Sequence, residues 1–327
     1  MYTEHTSVDH AATYLVRAAV TAPSLLNTQP WLFIGRGPEL DVYTDPTRQL
    51  LLSDPNGREM VINCGAALFN VRVAMRHLGF LPVVRSFPDP WNPAHLARVG
   101  WGSYRRPNDD DELMYRAVRQ RHTHRGPFQT SALPQLLIDE LRDHARAEGA
   151  ELCTMESRHE RARLANLVRT AERAHRTHPG HVAELARWTR ASHGGRPDGV
   201  PLDACPHHPD CTALPDRDYL GISRTMPDPP AVWPDRTGLI AVITTQHDSL
   251  QDWLRAGQAL QRVLLYATAH RVEAAFHTQP LELPRLRAQV RATTASGQFP
   301  QLILRLGHGA RGRSVVRRPT ASVLSAG

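Results

Sequence analysis

Apolar positions recur at helical spacing in the first patterned stretch: Ala12, Leu15, Val16 and Ala19 predict a helix from Val8 to Ala22, which Pro23 ends. A loop from Ala22 to Pro30 leads into a strand at Trp31 to Ile34, and Gly37-Pro38 turns the chain into a second strand at Leu40 to Tyr43. A long helix should follow from about Asn56 to Leu78. Met60, Cys64, Ala67, Leu68, Val71 and Met75 share one face of it, and Gly79 suits its C-terminal cap. A strand near Leu81 to Phe87 is expected to complete this half.

The next helix, from about Asp109 to Arg121, opens on acidic residues and closes on arginines, the polarity that suits the helix dipole. Helices are predicted from Pro134 to Ala147 and from Arg158 to Arg190, the latter broken near Pro179. Periodicity then fails from Ser192 to Arg236, a Pro-, Gly- and Asp-rich stretch whose length fits a functional lid or a linker. It returns with a strand at Thr237 to Thr245, a helix from about Leu250 to His270 and a final strand at Gln301 to Leu306. Gly65, Ala67, Leu68 and Val71 match Gly257, Ala259, Leu260 and Val263 at a constant offset, each set within a long helix, which suggests a duplicated unit.

A chain of 327 residues supports a sizeable buried core. No apolar run approaches the roughly 18 residues of a membrane span, and Met1 to His10 is polar, so cytoplasmic residence without a membrane is expected. Four unevenly placed cysteines, Cys64, Cys153, Cys205 and Cys211, fit a reducing compartment better than a disulfide framework. The net charge is +7 and every basic residue is arginine, which points to a GC-rich coding bias. The arginines are spread through every segment and only 6% of residues are aromatic, so the charge is not a nucleic-acid footprint. Arginine still suits phosphate, through its planar fork.

The segment Ala22-Pro23-Ser24-Leu25-Leu26-Asn27-Thr28-Gln29-Pro30-Trp31 is crowded with short polar side chains between helix and strand. Such residues favour turns, but the Asn and Gln amides also present donors and acceptors together, as an isoalloxazine edge requires. A second segment, Arg121-His122-Thr123-His124-Arg125 followed by Phe128, combines guanidinium and hydroxyl groups that can hold a phosphate with a further cation. Cys205-Pro206-His207-His208-Pro209-Asp210-Cys211 holds two thiols and two imidazoles, but its spacing and prolines argue against zinc, and no metal is expected. Cys64 reads as a small buried side chain.

The first segment resembles the Ser-Pro-Ser-x-x-Asn-x-Gln-Pro-Trp element of the FMN-dependent nitroreductase superfamily, and the second resembles its Arg-x-Ser/Thr-x-Arg/Lys-x-Phe element. Each half of this chain carries one of the two. Together with Asp54-Pro55-Asn56-Gly57-Arg58-Glu59 before the long helix, the pattern resembles the Acg subgroup of actinobacterial FMN-binding proteins. The resemblance implies an α+β nitroreductase-like fold with two pseudo-symmetric halves in one chain standing in for the usual homodimer. These halves are residues 1–108 and 109–327, the second with a lid-like insertion at about 192–236.

By resemblance, Ser24, Asn27 and Gln29 contact flavin, with Pro23 and Trp31 shaping their loop. Arg121 and Thr123 serve the phosphate and ribityl region, and Arg125 the pyrimidine edge. Thr278 and Gln279 fall where backbone donors approach flavin N5, and Arg317 and Arg318 where phosphate cations lie. The expected activity is NAD(P)H-dependent reduction of a nitro compound, quinone or enone through FMN, in a monomer or weak homodimer. The alternative is a protein that stores or sequesters FMN with little turnover.

Overall fold

The computed structural model describes residues 10–190, 195–205, 208–221, 232–294, 297–310, 312 and 315–327. After α1 (His10–Ala19), strands β1 (Trp31–Arg36) and β2 (Glu39–Thr44) pair as a hairpin. Helix α2 (Arg58–His77) follows, and β3 (Phe80–Ser86) and β4 (His95–Tyr104) return antiparallel. The second half runs through α3 (Asp109–Val118), α4 (Gln135–Arg146), β5 (Glu151–Thr154), α5 (Arg158–Thr177) and α6 (Pro179–Trp188). A short parallel ladder joins β6 (Thr189–Arg190) to β7 (Val200–Pro201). Then come β8 (Leu239–Thr245), α7 (Leu250–Ala269), β9 (Glu273–Phe276), α8 (Pro284–Thr293), β10 (Phe299–Gly307) and β11 (Leu324–Ala326).

The two sheets have the orders β11-β1-β2-β4-β3 and β5-β8-β10-β9. With β11 set aside, β1 corresponds to β5, β2 to β8, β4 to β10 and β3 to β9. In each half a 20-residue helix follows the second of these strands, α2 in one and α7 in the other. All pairings within the two four-stranded units are antiparallel, and only β11 runs parallel to its neighbour β1.

Duplication is most direct where α2 crosses α7. A Cβ placed on Gly257 would lie 2.0 Å from the Ile62 carbonyl oxygen and 2.9 Å from the Gly65 Cα. The two glycines matched in the sequence therefore touch each other, as a residue and its counterpart must where a two-fold axis passes. Only glycine permits this approach, and it lets the flanking Ala67, Leu68, Ala259 and Leu260 close into one apolar core. Because α2 is packed by α7 on one side and by α1 and its own sheet on another, it is buried on nearly every face rather than along a single stripe. The second sheet's other face is covered by α5 and α8, through Leu164, Val168, Ile240, Val242, Val290 and Ile303.

Several expectations need correction. Leu81 to Phe87 does not complete the first half: β4 follows and lies between β2 and β3. Glycines at 100 and 102 weaken the strand signal of β4, and pairing on both sides supplies what local propensity lacks. Nor is β10 the final strand. The chain continues to β11 in the first half's sheet, so residues numbered with the second half complete the first. The four-residue strands β5 and β9 and the arginine-rich α8 carried too little periodicity to be read. Val8 and Asp9 of the first predicted helix, and residues 192–194, 206–207 and 222–231 of the Pro-rich stretch, lie outside the described residues. Among the described residues no helix is long and apolar enough to cross a membrane.

Candidate functional site

The loop between α1 and β1 has an unusual backbone. Leu26, Asn27 and Gln29 all have φ near +50°, a conformation that costs L-residues roughly 1–2 kcal/mol each. Its own bonds and two surrounding segments hold it. Within the loop, the Gln29 N–H donates to Ser24 Oγ at 2.9 Å and the Asn27 N–H to the Ser24 carbonyl. From the Pro-rich stretch, the Gly199 carbonyl accepts from Asn27 Nδ2 at 3.0 Å and the Pro197 carbonyl from Gln29 Nε2 at 2.8 Å. From the tail before β11, the Arg317 guanidinium donates to Asn27 Oδ1 at 3.1 Å and the Arg318 N–H to Gln29 Oε1 at 2.7 Å. Strained backbone held on three sides is the pattern of a preorganised binding loop.

The Arg121–Arg125 segment leaves α3 and runs beside β9: Thr123 bridges Ala274, and the His124 N–H donates to the Ala274 carbonyl at 2.8 Å. A buried charge cluster locks it. Asp216 accepts from the Gly126 N–H at 2.9 Å and from Arg305 at 3.1 Å, while Arg305 also donates to the Gly126 carbonyl and to His277. Burial pushes the Asp216 carboxyl up, and Arg305 opposes that shift.

Between loop, segment and tail lies a cavity. Of the residues predicted from sequence it is lined by Ser24, Asn27, Thr123, Arg125, Thr278, Gln279 and Arg317, together with Pro23. Gln29 and Arg318 do not reach it. Gln29 is fully buried in the bonds just described, and Arg318 staples the tail to the Gln29 carbonyl, to Asp45 and to Ser322. The Asn27 amide faces the cavity but is taken up by Gly199, Val316 and Arg317. Trp31 is fully buried in the main core, where it anchors the start of β1. Arg121 sits behind the cavity wall within electrostatic reach of Arg317, one of its Nη atoms bonded to the Thr21 carbonyl at 3.2 Å.

These two arginines are the most telling feature. Nε and Nη1 of Arg121 and Nε of Arg317 are buried without a hydrogen-bond partner among the described residues. Burial first, and then repulsion from Arg125, pulls Arg121 down to about 10, with Glu273 opposing. Burial, Arg121 and Arg125 pull Arg317 down to about 9. Cations so placed call for an anion. On the acceptor side, Gln279 Oε1 is buried and unpartnered in the same cavity wall.

Five polar residues of the wall were given no site role from the sequence: Glu59, which appeared only as the end of the Asp54–Glu59 motif, Asn63, Asp216, Arg217 and Tyr219. Glu59 and Asn63 stand one turn apart on α2, and polar side chains on an otherwise apolar buried helix were the signal available. The other three lie in the aperiodic stretch, where nothing marked them. Tyr219 lies under the Arg125 guanidinium at 5.8 Å, so this stretch forms part of the enclosure. Of the Cys205–Cys211 segment, Pro206 and His207 lie outside the described residues; among the described residues no group of side chains is arranged to hold a metal. A wider cavity of about 1250 Å³ runs along α5 beside the same stretch, but it holds none of the residues predicted from sequence, and Arg176 in its wall, whose Nη2 has no hydrogen-bond partner among the described residues, is offset by Asp210 at 3.6 Å.

No family model matches the chain. "Putative NAD(P)H nitroreductase Rv3131" of Mycobacterium tuberculosis H37Rv is 32% identical over 290 residues, which span 88% of this chain and 82% of that protein. "Putative NAD(P)H nitroreductase acg" of the same strain is 29% identical over 298 residues, 89% of this chain and 87% of its own length. Among solved structures, the FMN-dependent nitroreductase NfnB of Mycobacterium smegmatis in complex with NADPH aligns with 65% of this chain and 97% of its own, at 14% identity and a TM-score of 0.41. The chain belongs to the nitroreductase superfamily, and the mycobacterial acg protein is among its relatives.

Proposed function

We propose that the cavity holds one flavin mononucleotide and that the protein is an oxidoreductase: NAD(P)H reduces the flavin, and a nitro compound, quinone or enone takes the electrons. The observation that carries this reading is the pair of buried, underpartnered guanidiniums, Arg317 in the cavity wall and Arg121 behind it, whose combined charge suits a phosphate dianion. Thr123 would add a hydroxyl, and Arg318 would serve the phosphate indirectly by fixing the tail that carries Arg317. Gln279 Oε1 offers an acceptor for a ring N–H. Ser24, Asn27 and Gln29 shape the strained loop, and Thr278 stands beside Gln279 in the wall. Bound flavin would supply the redox chemistry, and the chain would orient it and tune its charge. Residues 1–108 and 109–327 are the proposed duplicated halves, and one chain provides the whole cavity.

Arg125 would favour negative charge at the pyrimidine edge. Arg125→Ala should therefore lower the flavin midpoint potential, by roughly 30 mV for each 1.4 kcal/mol of lost stabilisation in the two-electron couple. An unchanged potential in a dye-coupled titration would remove Arg125 from this role.

The Arg125–Tyr219 stack favours a second reading, in which the enclosed flavin is stored. Anaerobic mixing with NADH or NADPH separates the two readings: bleaching of the yellow protein supports the oxidoreductase, and persistent colour supports storage. If Tyr219 controls access, Tyr219→Ala should speed bleaching, on the order of tenfold for about 1.4 kcal/mol of barrier removed.

A further inference from the structure

We propose that Glu172 is a positioning residue for the flavin: it turns the Gln279 amide so that Oε1 faces the cavity as an acceptor for a ring N–H. The inference rests on the flavin reading given above. Gln279 opens the short turn Gln279–Glu282 between β9 and α8, is 1% exposed and lines the cavity. Its Nε2 donates to Glu172 Oε2 at 3.3 Å, and its Oε1 is buried with no hydrogen-bond partner among the described residues. A buried carbonyl left so is unfavourable until a donor reaches it.

Glu172 stands behind that wall, on α5, and is itself buried. Its Oε1 accepts from the Asp218 N–H at 3.0 Å and from Arg176 Nε at 3.3 Å. Both partners can only donate, so Oε1 remains an acceptor, and Oε2 is the atom left for Gln279. Burial raises the Glu172 carboxyl, and Arg217, the Asp218 N–H and Arg176 oppose that shift. A carboxylate at this place can be met only by the NH2 end of the amide, which sends the carbonyl end the other way. The residue that fixes the acceptor is therefore on a different element from the residue that carries it.

An oxidised isoalloxazine has one ring N–H, at N3, and reduction adds one at N5. Either can meet the carbonyl, and each leaves its own mark. Contact with N3–H makes FMN bind better than 3-methyl-FMN, whereas contact with N5–H stabilises the reduced ring and raises the midpoint potential.

Glu172→Gln separates the positioning role from packing. Its carbonyl stays with the Asp218 N–H and Arg176, so its NH2 replaces Oε2 and Gln279 must turn over, presenting a donor to the cavity. Gln279→Met removes the acceptor without reversing it. Fluorescence titration of the apoprotein with FMN and 3-methyl-FMN, and dye-coupled titration of the loaded protein, read the two contacts. In Gln279→Met either the preference for FMN falls about tenfold or the midpoint potential drops. Glu172→Gln should move the same readout at least as far, and should add nothing in the Gln279→Met background. Neither readout moving in a Gln279→Met protein that holds FMN overturns the proposal. So does a Glu172→Gln protein that matches the parent, the result expected of a protonated Glu172 that already donates. An effect of Glu172→Gln that persists undiminished beside Gln279→Met overturns it as well. These outcomes leave the flavin reading standing, whereas failure of the wild-type apoprotein to take up FMN overturns both. Should Glu172→Gln not fold, Glu172→Asp carries the test: the shorter side chain keeps its charge but draws back from Gln279, so the same readout should move, and an unmoved one overturns the assignment.

Discussion

Replacing Arg121 and Arg317 together with alanine should erase the protein's preference for FMN over riboflavin. Each guanidinium can make charge-assisted hydrogen bonds worth about 1.5–3 kcal/mol. Losing both should weaken FMN binding by roughly two to four orders of magnitude. Riboflavin, which lacks the phosphate, should bind the variant and the parent about equally. Fluorescence titration of apoprotein with the two ligands measures the contrast, and an FMN affinity that survives both substitutions would place the phosphate elsewhere.

The same pair makes a prediction about stability. Burial lowers both arginines from the usual guanidinium range, so the empty fold holds charge against a desolvation penalty. The double variant should therefore melt no lower than the parent when neither holds flavin. The parent should gain thermal stability from FMN that rises with the logarithm of FMN concentration above its Kd, by ligand linkage. A large loss of stability in the flavin-free variant would mean that the arginines serve the fold rather than an anion.

Gly257→Val should have the largest effect on the fold itself. Even a Cβ at this position would fall 2.0 Å from the Ile62 carbonyl oxygen and close on Gly65. Helices α2 and α7, each of 20 residues, must separate or shift to admit it. Overpacking typically costs 1–3 kcal/mol, and here the obstacle is backbone rather than a movable side chain, so about 3 kcal/mol or more is expected. Urea denaturation should show it as a lower midpoint with little change in slope. Gly65→Val should behave alike, since it meets the Leu254 carbonyl oxygen at 2.4 Å from the other side of the pseudo-dyad. A tolerated valine at either position would mean that the helices do not cross so closely in solution.

Much of the architecture could be read from local pattern. The long helices of both halves, the break at Pro179, the hairpin of β1 and β2, and the glycine match between α2 and α7 all follow from hydrophobic spacing, proline and glycine. The two polar elements around Asn27 and Arg121 also stood out, because short amides and guanidiniums in a turn are chemically distinctive whatever their surroundings. Strand β4 and the final strand β11 did not, since their stability comes from partners distant in sequence.

What only the tertiary structure decided is how the polar residues divide their work. Gln29 and Arg318 carry residue types suited to a ligand, yet their bonds go to each other and to the neighbouring chain. Glu59 and Tyr219 were assigned no site role from the sequence, yet they line the cavity. A side chain's type is written in the sequence, whereas the direction it faces depends on which carbonyls and charges are brought within about 3 Å of it. Here that is settled by one tail returning to β1 and one aperiodic stretch folding over the loop. Local periodicity is sufficient to specify helices and strands, but hydrogen-bond partners hundreds of residues apart exist only once the chain has closed.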